Sequence, residues 1–401
     1  MRARAKSNHG GWKIAGIPRH VYVLVLTIQL ILGVWQSNHL ACLETKSTGI
    51  LTHLVGFESA SSKKVFQLPK GLKLRVDDHV RAFPKRAFPC FPAEEAWNTL
   101  SVQKSPTSQG FLYVKARKAS SSTLAGVAIR VARRIAKDRQ MAMCKTRFNH
   151  PMASKLNYSK RNKHESFLWS VVREPSRRFM SEFFHFGFSR NFVQPTDENI
   201  RKYMRETSPP IDNYYLRWLS VNETFDAATH KPEAVVREII QEYDFLGVSE
   251  RLDESLVVLQ MLLELKTSDL LYLSAKVHGG WDDGIYKHQC FFITPTFVSA
   301  SMHEFFESSQ EWWDFSAGDD LLYRAVNASL DRTIATIEYS TFSSNVKRLR
   351  WALQKAKEAC RHKVVFPCSE NGQYVPENDC LIWDSACGMD CLDEVARELN
   401  L

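Results

Sequence analysis

Apolar residues in the middle of the chain alternate between short continuous runs and helical spacing. Residues 111–114, "FLYV", form a run of strand-forming residues, and from Thr123 onwards the apolar side chains fall on one face of a helix. The same unit recurs at residues 166–172 and at residues 243–248, each followed by a helical segment. Strands that alternate with helices predict an α/β fold, in which helices flank a parallel β-sheet. The loops after these strands should lie together at the carboxyl edge of that sheet.

Another apolar run lies near the N-terminus. Residues 21–35 are uncharged, and this run of fifteen is shorter than the ~20 residues that comfortably cross a bilayer. Five cations precede it, whereas the first acid is Glu44. This flanking charge predicts a single-pass type II signal anchor over residues 21–36, with residues 1–20 in the cytoplasm and the rest in the lumen. Cleavage of the segment as a signal peptide is an alternative that stays open.

Composition divides the luminal part further. Residues 37–105 mix Ser, Thr, Lys and Pro with weak periodicity, and we interpret them as a stem and the lead-in to the α/β domain, which we place at residues 106–365. From residue 366 the chain carries eight acids and one base, Arg397. This shift predicts a separate acidic, Cys-rich extension over residues 366–401.

The cysteines indicate an oxidising compartment. Five of the nine crowd into the last 42 residues, where they predict disulfides that staple an extension too small to form its own core. The odd total leaves at least one thiol free or intermolecular, and the absence of CxxC spacing disfavours a zinc site. Three sequons, at Asn157, Asn222 and Asn327, agree with a luminal glycoprotein.

The net charge of +9 is concentrated in one stretch. Residues 111–164 hold fourteen Lys and Arg residues against one acid, Asp138. A basic stretch beside a Ser- and Thr-rich loop predicts a phosphate or sulfate ligand, although a solvated basic surface has the same composition. The predicted luminal placement disfavours a nucleic acid as partner.

The segment VKARKASSSTL, residues 114–124, has the chemistry of a phosphate-binding turn between a strand and a helix. Ser121, Ser122 and Thr123 would add hydroxyl donors to the unpaired N–H groups of the helix start, and Lys118 would add a mobile positive charge. The pattern G-x-x-x-x-G-K-[ST] is absent, which disfavours ATP-driven chemistry. The competing interpretation is that the serines only cap the helix.

A second basic loop follows the next predicted strand. In REPSRRFMSEF, residues 173–183, Arg173 ends the strand and Ser181 lies about two helical turns further on. Such a pair can bind a second phosphate from two sides. One nucleotide with phosphates at both ends of its sugar would therefore explain why the chain has two phosphate-binding loops. The alternative is a salt-bridged helix start with Arg177 and Arg178 in solvent.

Both motifs resemble those of one enzyme family. VKARKASSSTL resembles the 5′-phosphosulfate loop of the Golgi carbohydrate sulfotransferases, closest to the galactose-3-O-sulfotransferase type and more distantly to heparan sulfate 2-O-sulfotransferases. REPSRRFMSEF matches the family pattern R-[DE]-P-x-x-R-x-x-S-x-[FY] at every defined position, and residues 247–259 resemble a third segment near the nucleotide. Arg117 and Ser120 depart from the galactose type, which usually has His and a small apolar residue there. The resemblance covers roughly residues 105–345.

The resemblance implies 3′-phosphoadenosine 5′-phosphosulfate (PAPS) as co-substrate and no metal requirement. It places the 3′-phosphate on Arg173 and Ser181, with Arg251 as a further nucleotide contact. The residues predicted to hold the 5′-phosphosulfate are Lys118, Ser120, Ser121, Ser122 and Thr123. Lys118 is also predicted to act in catalysis, by neutralising the charge that builds on the leaving phosphate.

Transfer to a hydroxyl also requires a general base. We predict His150, which lies between the two loop motifs, in this role; its rivals are His164, Glu165 and His185. The predicted reaction is in-line transfer of a sulfuryl group from PAPS to a glycan hydroxyl in the Golgi lumen.

The acceptor stays open between an acidic polysaccharide and a glycoprotein. Aromatic residues that either stack on a sugar ring or belong to the core are Tyr214, Tyr215, Trp218, Trp281, Trp312 and Trp313. Two other functions stay open: sulfation of protein tyrosine or of a lipid headgroup, and noncatalytic glycan binding by a membrane-anchored protein.

Overall fold

The computed structural model describes residues 88–92, 109–207, 212–222, 231–274, 279–282, 289–382 and 385–401. All of them belong to one unit, Gln67–Leu401. The predicted tail, the anchor and most of the stem lie outside the described residues. None of the described helices has the length and the hydropathy that a membrane span requires.

Strands and helices alternate through the first half of the described chain. The strands are β1 (Cys90–Phe91), β2 (Gly110–Val114), β3 (Met143–Cys144), β4 (Thr146–Asn149), β5 (Ser166–Val172), β6 (Phe245–Val248), β7 (Trp281–Asp282), β8 (Phe291–Phe292), β9 (Cys380–Ile382) and β10 (Ser385–Cys387). The longer helices are α1 (Ser121–Lys137), α2 (Pro175–Glu182), α3 (Asp197–Glu206), α4 (Tyr214–Leu219), α5 (Pro232–Glu242), α6 (Leu252–Leu262), α7 (Ala300–Ser308), α8 (Gln310–Thr336), α9 (Tyr339–Cys360) and α10 (Met389–Glu398). After α2 the chain continues through a π-helical segment, Phe183–Phe188, and a last turn, Ser189–Asn191.

A four-stranded parallel sheet with the order β4-β2-β5-β6 forms the centre of the fold. Every residue of β2 and β5 is buried, as expected where helices cover both faces of a parallel sheet. Trp169 of β5 stacks on Phe111 and Tyr113 of β2, with ring centroids 5.2 and 4.3 Å apart. The predicted α/β fold with a parallel sheet is therefore confirmed. The sequence patterns had not indicated the edge strand β4.

Helix α1 is buried along most of its length. Its predicted apolar face is at most 1% exposed; that face consists of Leu124, Val127, Ala128, Val131 and Ile135. At Gly126 an added Cβ would lie 3.0 Å from the backbone N of Ala386 in β10. The C-terminal extension therefore packs directly on the helix that follows the first loop, despite its different composition.

Four disulfides join eight of the nine cysteines, as Cys90–Cys144, Cys290–Cys368, Cys360–Cys391 and Cys380–Cys387. The ninth, Cys42, lies outside the described residues. Three of the bonds involve the extension, in agreement with the prediction that disulfides staple it. Two of these three also tie the extension to the preceding domain, and Cys90–Cys144 ties β1 to β3. The boundaries drawn at residues 106 and 366 stay predictions.

Helix α8 approaches α4 closely at Gly318. An added Cβ there would overlap Leu216 Cδ1 and lie 2.8 Å from Asn213 Oδ1, which accepts a hydrogen bond from the backbone N of Gly318. A glycine inside a helix costs about 1 kcal/mol relative to alanine. The close approach of α4 explains why this position in a 27-residue helix is a glycine.

We predict that Gly318→Val lowers the free energy of unfolding by about 1–3 kcal/mol, because the new side chain must displace buried Leu216. Ala317→Val is the matched control, since Ala317 is the neighbouring residue in the same helix and is exposed. Urea unfolding of both variants measures the difference. Equal stability of the two variants would contradict the close packing of α4 on α8.

Candidate functional site

Three loops meet at the carboxyl edge of the sheet. They follow β2 (residues 115–120), β5 (residues 173–174) and β6 (the 3₁₀ turn Ser249–Arg251). Because the three strands are parallel neighbours, their carboxyl ends lie on the same edge. The edge strand β4 ends there as well and is followed directly by His150.

The first loop has an unusual backbone. Lys118 and Ser120 have positive φ angles of 61° and 57°, and Ala119 between them is fully buried. Each left-handed non-glycine residue costs roughly 1–2 kcal/mol, so surrounding contacts must hold the loop in place. Strained backbone of this kind is concentrated at ligand sites, where successive N–H groups form a concave anion-binding surface.

The start of α1 differs from an ordinary capped helix. Ser120 occupies the N-cap position, but its side chain makes no capping hydrogen bond; its Oγ lies 2.7 Å from Ser249 Oγ in the third loop. The interpretation that the serines only cap the helix is therefore wrong for Ser120. Ser121 and Thr123 are 9% exposed in the first turn and Ser122 is half-buried. The helix dipole and the first-turn N–H groups are thus directed at the loop.

Arg173 links the second loop to the first and third. Its Nη1 donates a hydrogen bond to the Lys118 carbonyl (3.2 Å), and its Nε lies 3.8 Å from Glu250 Oε1. Burial lowers the pKa of the Arg173 guanidinium, and the Glu250 carboxylate offsets this effect only in part. The site therefore holds a cation whose charge is incompletely compensated, and a bound anion would stabilise it.

Two adjacent tyrosines of α4 hold the first two loops. Tyr214 Oη accepts a hydrogen bond from the backbone N of Arg117 (2.8 Å). Tyr215 Oη accepts one from the backbone N of Arg173 (2.7 Å) and donates one to its carbonyl (3.0 Å). Both tyrosines are fully buried. Sequence reasoning considered them only as stacking or core residues and missed this role.

Arg178 is the second arginine of the REPSRRFMSEF motif, and the structure places it beneath these tyrosines. It is 1% exposed, pairs with buried Glu182 and lies 4.1 Å from the centroid of the Tyr214 ring. Burial alone would lower the pKa of Arg178, but Glu182 and other nearby groups raise it above its usual value. Arg178 is therefore not a solvated residue of the helix start; the i,i+4 spacing to Glu182 was the signal that sequence analysis overlooked.

Two predicted nucleotide contacts have other surroundings. Ser181 is buried on α2, at 4% exposure. Arg251 ends the third loop, where it pairs with Glu254 Oε2 and Asp331 Oδ1, each at 2.6 Å. A contact between Arg251 and a nucleotide would compete with these two carboxylates. The roles of Ser181 and Arg251 stay predictions.

His150 is the base candidate that lies at the loop edge. Its Nδ1 is 2.9 Å from the Lys115 carbonyl, which can only accept, so Nδ1 carries the proton and Nε2 is the basic nitrogen of the neutral ring. Trp218 Nε1 donates to the His150 carbonyl (2.5 Å) and helps to fix the backbone. The imidazole itself is exposed.

The rival bases have less suitable positions. His164 and Glu165 precede β5, and Glu165 binds Gln109 at the start of β2, so both lie at the opposite edge of the sheet. The seven residues of β5 place them about 20 Å from the loops. His185 is 5% exposed, with Nε2 3.5 Å from Asp282 Oδ2. The geometry therefore favours His150 over these three residues as the general base.

The aromatic residues divide between core and site. Tyr214, Tyr215, Trp218 and Trp312 are buried, whereas Trp313 is 38% exposed and Trp281 is half-buried. The Arg117 guanidinium lies 5.5 Å from the Trp218 ring centroid and 5.9 Å from that of Phe186. Cation–π contacts therefore position the side chain of Arg117, which belongs to the first loop. In the described part of the chain, no three His, Cys, Asp or Glu side chains are grouped to hold a metal ion.

We predict that Tyr215→Phe lowers the free energy of unfolding by about 1–3 kcal/mol, because the backbone N–H and carbonyl of Arg173 lose their buried partner. Tyr339→Phe removes the same hydroxyl from a side chain that is 80% exposed and should have no measurable effect. Urea unfolding compares the variants. A Tyr215→Phe protein as stable as the control would show that this hydroxyl does not hold the second loop.

Comparison with known proteins agrees with this geometry. Residues 105–269 match the model of the Sulfotransferase family. Neither the curated proteins nor the solved structures gave a match. The matched stretch contains all three loops and His150, and it therefore supports a sulfotransferase domain, an enzyme domain that transfers sulfuryl groups, over residues 105–269 of this chain.

Proposed function

We propose that this domain transfers a sulfuryl group from PAPS to a hydroxyl of a glycan. The observation that carries the proposal is the contact between the loops: Arg173 reaches the carbonyl of Lys118 in a left-handed loop that opens into an uncapped helix. Two cationic loops at one sheet edge fit a nucleotide with two separate phosphate groups better than a single phosphate.

The residues present fit this donor. The N–H groups of the first turn of α1, the hydroxyls of Ser121, Ser122 and Thr123, and the Lys118 ammonium would hold the 5′-phosphosulfate. Arg173 would hold the 3′-phosphate, with Ser181 and Arg251 as further contacts, and Ser120 would stabilise the loop through Ser249. The first-turn N–H groups and Arg173 are held in place by the fold, so they reorganise little on binding. Arg251 would have to exchange its contacts with Glu254 and Asp331 for the nucleotide.

The chain supplies the parts that in-line transfer requires. As the acceptor oxygen forms its bond to sulfur, the bond from sulfur to the 5′-phosphate oxygen breaks, and adenosine 3′,5′-bisphosphate leaves. The hydroxyl proton passes to Nε2 of His150, since Nδ1 donates to the Lys115 carbonyl. Lys118 and the helix N–H groups neutralise the charge that develops on the leaving phosphate.

A glycan acceptor in the Golgi lumen belongs to the same proposal. The disulfides favour an oxidising compartment, and the apolar run at residues 21–36 would provide a type II anchor. Arg117 of the first loop, which contacts the rings of Phe186 and Trp218, would bind an acidic group or a ring face of the acceptor. An acidic polysaccharide or an acidic glycoprotein chain fits this surface.

Binding of adenosine 3′,5′-bisphosphate tests the donor site. We expect Lys118→Ala and Arg173→Ala each to weaken its affinity roughly tenfold to hundredfold, because each removes a charge-assisted hydrogen bond. Lys347→Ala, an exposed cation on α9, should bind as the wild type does. Calorimetry on the full chain without added metal measures the constants. Unchanged affinity in both loop variants, or no binding by the wild type, would refute the donor assignment.

Turnover with labelled PAPS tests the base. We expect His150→Ala to lower kcat by about 10²–10⁴-fold while its affinity for adenosine 3′,5′-bisphosphate stays unchanged. His164→Ala is the control at the opposite sheet edge and should retain full activity. Loss of activity in the His164 variant alone would reverse the assignment. A wild type that binds the bisphosphate but transfers to no glycan, peptide or lipid acceptor would favour the noncatalytic alternative.

A further inference from the structure

A cavity of about 450 Å³ lies between the second half of α1 and helix α10 of the extension. The turn Thr267–Leu270 closes one side, and Met389 and Ala396 contribute apolar surface. The volume falls within the usual range of ligand sites and far exceeds that of a single water molecule. The family resemblance assigns no role to this part of the chain.

The lining side chains are strongly cationic. Six of them are Lys or Arg, against two carboxylates, Asp269 and Asp393. The six cations are Arg130, Arg133, Arg134, Lys137, Lys266 and Arg397. They come from α1, from the turn before Thr267 and from α10, so three separate parts of the chain converge on one cavity.

The two acids neutralise only part of this charge. Arg130 pairs with Asp393 (2.6 Å) and donates to the Ser268 carbonyl (2.8 Å), and Arg134 lies 3.4 Å from Asp269. Within the described ranges, the other four cations form no ion pair. Burial lowers the pKa of the Arg133 guanidinium, an effect that Asp393 and Asp390 offset only partly.

Helix electrostatics explain some of these cations but not all. Arg134 and Lys137 lie in the last turn of α1, where positive side chains favour the helix dipole. Arg397 lies in the last turn of α10 and is favoured in the same way by the dipole of that helix. Lys266 precedes the turn Thr267–Leu270, and Arg133 lies before the last turn of α1, so neither helix dipole explains these two cations. Mutual repulsion among converging cations opposes folding, so their placement indicates a ligand that compensates them.

The cavity is separate from the candidate nucleotide site. Arg130 and Lys137 lie 9 and 16 residues after Ser121, which corresponds to about 13 and 24 Å along the helix axis. One nucleotide held at the start of α1 does not reach this surface. The two sites nevertheless share a single rigid helix.

We propose that this cavity is a second anion site, which binds a segment of an anionic polysaccharide. Sulfate and carboxylate groups would pair with the four cations that form no ion pair in the described ranges, and the sugar rings would cover Met389, Ala396 and the methylene stems of the long side chains. A single small oxyanion would leave most of the volume and charge unused. Binding here does not depend on sulfuryl transfer, so the inference goes beyond the proposed function.

The test compares two triple variants of the full chain. The cavity variant combines Arg133→Gln, Lys137→Gln and Arg397→Gln. It removes three of the six cavity cations, and none of these three residues forms an ion pair within the described ranges. The control variant combines Lys155→Gln, Arg332→Gln and Lys347→Gln. It removes three exposed cations that do not line the cavity. Glutamine preserves helix propensity, and circular dichroism with thermal melting checks that both proteins fold.

Calorimetry would use a heparin-derived hexasaccharide, with adenosine 3′,5′-bisphosphate in excess to fill the donor site. We expect the cavity variant to lose about tenfold or more in affinity, and the control variant to match the wild type. Affinity for the bisphosphate alone should be equal in all three proteins. A failure of the donor site would appear in that second titration and would leave the hexasaccharide result interpretable.

Three results would overturn the proposal. The first is an equal loss of hexasaccharide affinity in both triple variants, which would indicate a general basic surface. The second is an unchanged hexasaccharide affinity in the cavity variant. The third is binding of inorganic sulfate that depends on the cavity cations, without binding of the hexasaccharide. A fourth result would overturn it as well: a neutral hexasaccharide that binds as tightly as the heparin fragment, because charge would then have no role.

Discussion

The hydroxyls of Tyr214 and Tyr215 determine where the two cationic loops lie relative to each other. They are consecutive residues of α4, and each bonds to the backbone of a different loop. A movement of α4 would take both buried hydroxyls away from the loop N–H groups that they bind, which costs free energy. The separation of the first and second loops is thus set by one short helix. Asp319 holds that helix by accepting from the backbone N of Tyr215 (2.7 Å).

Beneath α4, the pair Arg178–Glu182 contributes orientation more than net stability. Removing two charges from water costs about as much as their mutual attraction returns, whereas removing one partner would leave a buried charge and cost about 3–5 kcal/mol. The Arg178 guanidinium packs against the face of the Tyr214 ring. The ion pair therefore fixes the orientation of the tyrosine whose hydroxyl accepts a hydrogen bond from the backbone N of Arg117. This role explains why the REPSRRFMSEF motif contains an arginine that is too buried to contact a ligand.

Local patterns in the sequence were sufficient for the framework of the site. Apolar runs located β2 and β5, helical spacing located α1, and parallel connection implied that their loops share one edge. Position 120 shows where local patterns fail. A serine before a helix normally indicates a capping residue, yet Ser120 adopts a φ of 57°, and its hydroxyl forms a hydrogen bond with that of Ser249, 129 residues away. Such a choice depends on tertiary contacts that no local pattern encodes. The hydrogen bond between Arg117 and Tyr214, which are 97 positions apart, could not be predicted from a local pattern either. The same is true of the short, partly polar strand β4.

The packing of Gly126 against Ala386 has a consequence for biosynthesis. These residues lie 260 positions apart, so α1 leaves the ribosome long before the strand that covers it exists. The helix behind the first loop gains its final neighbours only after the residues of the extension have been synthesised and Cys391 has joined Cys360. Closing contacts over such a separation is slow, because loop-closure entropy opposes them until the end. Maturation of the site is therefore a late event, and a prematurely terminated or still reduced chain would lack part of the wall around α1.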